Sequence, residues 1–74
     1  MNTETIYMPL LNEGVEVWAP VRAEKLGERR FLVLGPMPDH EKWKFAANSI
    51  VMTRTTDFAG GKQGLAAYRI ATQN

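Results

Sequence analysis

The chain predicts an all-β fold, a small five-stranded barrel made from one strongly bent antiparallel sheet. Three observations carry this. Turn-forming residues recur at short intervals between extended segments, a spacing that suits a sandwich or small barrel better than a βαβ repeat. The run from Val15 to Leu26 alternates, with Val15, Val17, Ala19, Val21 and Ala23 on one face and Glu16, Trp18, Pro20, Arg22 and Glu24 on the other. Phe31-Leu32-Val33-Leu34 is apolar at every position, as a central strand is. At 74 residues the chain makes one domain, 1–74, close to the lower limit for folding without a disulfide, a metal or a partner.

The first segment runs from Thr5 to Leu10, with Pro9 lacking the backbone donor and so suited to an edge or a bulge. Asn12-Glu13-Gly14 then turns the chain. Val15 to Leu26 is long for so small a domain and must bend, with Pro20 as the bend point. Gly27 and Glu28 close a hairpin into Arg29 to Gly35. Pro36 and Pro38 break regular structure and predict an exposed loop.

From Asp39 to Asn48 two periods compete. Asp39 suits a helix N-cap, whereas Lys42-Trp43-Lys44-Phe45 places paired lysines and paired aromatics on opposite faces of an extended chain. The extended reading fits better, with one short helical turn over 46–49 leading into Ile50–Phe58. Gly60-Gly61-Lys62-Gln63-Gly64 predicts a flexible hairpin loop, followed by a strand from Leu65 to Ala71 and a frayed tail from Thr72.

Composition excludes several kinds of chemistry. Cysteine is absent, which removes disulfides, thiolate zinc sites and thiol nucleophiles and fits a reducing compartment. Nine Lys and Arg against eight Asp and Glu give a net charge of +1, well short of a dedicated nucleic-acid binder. The N-terminal residues show neither a basic region nor an apolar core of a secretory signal, and no apolar run is long enough to span a bilayer. A cytoplasmic protein without membrane partners, monomeric or weakly dimeric, is the expectation.

No catalytic or metal-binding set stands out, and no cofactor is expected. His40 lies between Asp39 and Glu41, but adjacent residues of an extended chain face opposite ways, and a metal site needs ligands that converge. Ser49 lacks the Gly-x-Ser-x-Gly surroundings of an activated serine. The glycines around Lys62 depart from the phosphate-loop spacing.

The aromatics carry the functional content. Phe31, Phe45 and Phe58 are the expected core anchors, since each ring buries roughly 150–250 Å² and a small domain needs several. Tyr7, Trp18 and Trp43 stand next to polar residues and are the candidates for binding a protein partner. Arg29, Arg30, Lys42, Lys44 and Arg54, with Lys62 and Arg69, form a basic stripe if the third strand, the Trp43 segment and the last hairpin are neighbours. That stripe, with Trp43 or Tyr68, would support an alternative reading as a single-stranded nucleic-acid binder.

The pattern Ile6-Tyr7-Met8-Pro9-Leu10-Leu11-Asn12-Glu13-Gly14-Val15-Glu16-Val17-Trp18-Ala19-Pro20-Val21, with Gly35-Pro36-Met37-Pro38 and Trp43-Lys44-Phe45, resembles a group of small uncharacterised bacterial proteins. The resemblance covers Ile6 to Val51 and implies an SH3-like barrel without implying an activity. Gly14-x-x-Val17-Trp18-x-Pro20-Val21 followed by Phe31-x-Val33 is loosely similar to Tudor-like barrels. Ile6-Tyr7-Met8-Pro9 departs from the Ala-Leu-Tyr-Asp-Tyr-like segment of proline-binding SH3 domains, and no aromatic cage for methylated lysine maps onto the chain. The resulting expectation is a non-enzymatic protein-interaction module, regulatory or a subunit of a larger assembly, with an unknown protein partner.

Overall fold

The computed structural model describes residues 2–11, 17–58 and 60–71. Five strands, β1 (Thr3–Pro9), β2 (Trp18–Lys25), β3 (Arg30–Val33), β4 (Ile50–Phe58) and β5 (Lys62–Ile70), form a closed barrel in sequence order. No helix occurs among the described residues, so none is long and apolar enough to cross a membrane. The architecture is the small all-β barrel that the alternation predicts, consistent with an SH3-like barrel. The expected turn at 12–14, the first residues of the second strand (Val15 and Glu16) and the tail from Thr72 lie outside the described residues.

Alternation decides which side chains enter the barrel. On β1, Ile6 and Met8 point inward and are fully buried, leaving Thr3, Thr5 and Tyr7 on the outer face. β2 runs antiparallel to β1 from Thr3↔Glu24 to Pro9↔Trp18 and sends Ala19, Val21 and Ala23 inward. The Leu26 and Gly27 N–H groups donate to the Arg30 carbonyl at 2.8 and 3.2 Å, closing the hairpin into β3. Along β3, Phe31 and Val33 are buried, whereas Leu32 and the following Leu34 are only half-buried. The strand lines a single interior, so its second apolar row is not covered as a central strand's would be.

The β4–β5 hairpin has the longest ladder among the described residues. Gly60 and Gly61 turn it with φ of 87° and 81°, values that carry a steric cost for any side chain. β5 starts at Lys62, three residues before the expected Leu65, and so takes in Gly64, which the sequence pattern assigns to the loop. A single parallel pair, Tyr7↔Ala66, joins β5 to β1 and closes the barrel. Between Met52↔Arg69 and Thr53↔Ala67 the register shifts, leaving Tyr68 as the extra residue of a bulge. Thr53 is fully buried beside this bulge, and its hydroxyl donates to the Arg29 carbonyl at 3.1 Å, so its polar atom is satisfied.

The segment between β3 and β4 is extended but makes no strand. It returns to the end of β1, where the Lys44 N–H donates to the Pro9 carbonyl at 2.9 Å and the Leu11 N–H to the Lys42 carbonyl at 2.8 Å. Trp43 bridges to Leu10, and Trp43 and Phe45 enter the core while Lys42 and Lys44 stay exposed. The period-two reading of this segment therefore gives its burial, if not a full ladder. The single turn expected over Ala46–Ser49 is present, with the Ser49 N–H donating to the Ala46 carbonyl at 3.2 Å. It is not helical: Asn48 adopts φ 72°, which belongs to a β-turn with a left-handed third residue.

The core contains Ile6, Met8, Val21, Ala23, Phe31, Val33, Trp43, Phe45, Val51 and Ala67. It relies on three large rings and many small aliphatic side chains, which suits the narrow interior of five strands.

Candidate functional site

The outer face of the barrel carries two neighbouring groups of side chains, one aromatic and one basic. The aromatic group is Tyr7, Trp18 and Phe58, all half-buried. The Tyr7 and Phe58 rings lie 4.7 Å apart with a tilt of 49°, and the Trp18 and Phe58 rings 5.6 Å apart, edge to face at 71°. Both arrangements are of the favourable kind for aromatic quadrupoles. Three strands bring the rings together: Tyr7 faces outward on β1, Trp18 on β2, and Phe58 at the end of β4.

Gly64 makes this packing possible. A Cβ built there would stand 2.6 Å from Tyr7 Cε2 and 3.3 Å from Phe58 Cε2. Any side chain on β5 at this point would push the tyrosine off the cluster.

Two of the three rings, Tyr7 and Trp18, are binding aromatics expected from the sequence, and the third is not. Phe58 is expected in the core, yet it sits outside. The periodicity carries the signal, because Phe58 shares its alternation with Arg54 and Thr56 and opposes the buried Val51 and Thr53. Trp43, the other expected binding aromatic, is corrected in the opposite direction. It is 8% exposed, and its indole N–H donates to Glu41 Oε1 at 2.9 Å. Its place is in the core, because Phe45, two residues on, fixes that face of the segment inward.

The second group lies on β3, β4 and β5. Register sets Arg30, Met52 and Arg69 side by side across the three strands, and Arg54 follows two residues along β4. Tyr68, turned outward by the bulge, meets the Arg54 guanidinium at 5.0 Å and that of Arg69 at 5.7 Å from its ring centre. These are cation–π distances. An open groove of about 260 Å³ runs between Arg30 and Arg69, with Met52 and Ala71 completing its lining.

The expected basic stripe therefore divides. Arg29, Arg30 and Arg54, joined by Arg69, stay on or beside the β3–β5 face, whereas Lys42 and Lys44 belong to the segment at the end of β1. The stripe requires the Trp43 segment to lie next to β3 and the last hairpin, and its backbone bonds go to Pro9 and Leu11 instead. Arg69 and Tyr68 gain the weight that Lys42, Lys44 and Trp43 lose.

The two groups meet at Ala66, which pairs with Tyr7 on one side and Arg54 on the other. Ala66 is on the outer face but only 1% exposed, so the larger side chains around it cover it. The aromatic and basic groups thus form one continuous strip.

His40 is exposed, with Nε2 3.8 Å from Glu41, and no three potential metal ligands converge among the described residues. Compared with family models, curated proteins and solved structures, the chain matches none.

Proposed function

We propose that this chain is a non-enzymatic protein-interaction module of the cytoplasm, regulatory or part of a larger assembly, that engages its partner through the Tyr7, Trp18 and Phe58 cluster. The observation that carries this reading is that three aromatic rings gather on the outer face although the barrel core is complete without them. Half-buried aromatics held in place by their neighbours lose little conformational freedom on binding, which is why such residues anchor interfaces.

The test is affinity capture from the native cytosol with the wild-type protein and the Trp18→Ala variant, once both are shown folded by circular dichroism. A protein partner held by the wild type and lost by the folded variant is the expected result. Equal capture by both, or unfolding of the variant, would remove the cluster as the anchor.

A further inference from the structure

The basic half of the strip raises a question that the core does not answer. Arg30, Arg54 and Arg69 are gathered on adjoining strands, and among the described residues none of them has an ion-pair partner. The contact of a basic with an acidic side chain seen among those residues is His40 Nε2 with Glu41 at 3.8 Å, elsewhere on the surface. Like charges grouped across a sheet oppose folding, and local choices that oppose folding concentrate at functional surfaces. We propose that this face binds the carboxylates of an acidic partner protein, next to the aromatic cluster that anchors it.

The surroundings of the cations favour carboxylates on a protein over the phosphates of a nucleic acid. The cations are all arginines, whose planar fork matches a carboxylate or a phosphate in two parallel hydrogen bonds, so the choice falls to what surrounds them. Tyr68 has the Arg54 and Arg69 guanidinium groups 5.0 and 5.7 Å from its ring centre, so it holds both cations in position beside the groove. The groove between Arg30 and Arg69 has Met52 in its lining, so it accepts the aliphatic stem of a glutamate between two cations. Ala66 joins this face to Tyr7, so a single extended acidic segment with one apolar anchor would cover both halves.

The proposal rests on the protein-interaction reading, and the experiment separates the two. Binding of a fluorescein-labelled oligoglutamate peptide is measured by anisotropy over a range of salt concentrations, with oligothymidylate of equal charge as the competitor class. The wild type is expected to prefer the peptide, with affinity falling as salt rises. Arg54→Gln combined with Arg69→Gln should weaken peptide binding by about tenfold or more, the scale of a charge-assisted contact. Lys42→Gln combined with Lys44→Gln removes the same charge elsewhere and should leave the affinity nearly unchanged. Equal losses in the two double variants, or tighter binding of oligothymidylate, would overturn the proposal.

The same variants are then assayed on the partner captured through Trp18. Loss of that partner with both Trp18→Ala and the arginine double variant supports the proposal. Loss with Trp18→Ala alone overturns the acidic partner and leaves the interaction module standing. Selective oligoglutamate binding with no dependence of capture on Trp18 overturns the aromatic cluster as the anchor and leaves the arginine face.

Discussion

Trp18 and Trp43 occupy similar settings in the chain, each a large ring near charged residues on an extended segment, yet the barrel treats them differently. Trp18 shares its alternation with Pro20, Arg22 and Glu24 and stays half-exposed against Phe58. Trp43 shares its alternation with Phe45, and both rings go into the core. Immediate neighbours are therefore poor guides, since residues next to each other face opposite ways. The residues two positions away decide, because they lie on the same face. The polar end of Trp43 is satisfied by Glu41, also two residues away, at the margin of the core.

This contrast is open to direct attack. Trp43→Ala should cost about 3–5 kcal/mol, as truncating a buried aromatic does. That is a large share of the 4–11 kcal/mol or so expected for a domain of this length. Denaturant unfolding should show a much smaller loss for Trp18→Ala, about 1–2 kcal/mol from one aromatic contact and partial burial. Equal losses would break the distinction between a core tryptophan and a surface one.

A second test addresses the glycine beneath the cluster. Gly64→Ala should destabilise by about 1–3 kcal/mol, because the new methyl group meets the Tyr7 ring. In a double-mutant cycle, Tyr7→Ala should recover much of this, with a coupling of about 1 kcal/mol or more. Strict additivity would mean that the close approach of Tyr7 to Gly64 does not set the packing.

Smaller effects sharpen the same picture. Thr53→Val retains the shape but removes the hydroxyl that bonds the Arg29 carbonyl, and should cost about 1 kcal/mol in thermal or chemical unfolding. The backbone bond from the Thr53 N–H to the same carbonyl, 2.8 Å, remains, so the register should survive and a heteronuclear NMR spectrum should keep its dispersion. Glu41→Gln leaves an acceptor for the Trp43 indole and removes only the charge assistance, for an expected loss of about half a kcal/mol. An unfolding midpoint that drops as far as for Trp43→Ala would make Glu41, and not the ring's burial, the main support of this segment.

Much of the barrel is legible in the order of residues along the chain. The inward row Ala19, Val21 and Ala23 and the split of Lys42 and Lys44 from Trp43 and Phe45 follow from period two, and the burial of Phe31 and Phe45 follows from the need for large core anchors. Phe58 is legible by the same rule, but the general need for large core anchors points to the interior. The aromatic cluster is only partly legible, because its three members come from positions 7, 18 and 58 and meet only through pairing.

What the sequence determined by itself is the local geometry: an all-β chain, the approximate strands, and which residues share a face. That is so because alternation and turn chemistry act over a few neighbouring residues. What only the tertiary structure decided is which faces adjoin. Closure through Tyr7↔Ala66 sets the aromatic cluster beside Arg54, the bulge at Tyr68 turns an extra aromatic outward next to two arginines, and Gly64 becomes the floor under a tyrosine. Those outcomes depend on register between strands distant in the chain, and a single inserted residue shifts that register without leaving a distinct local pattern.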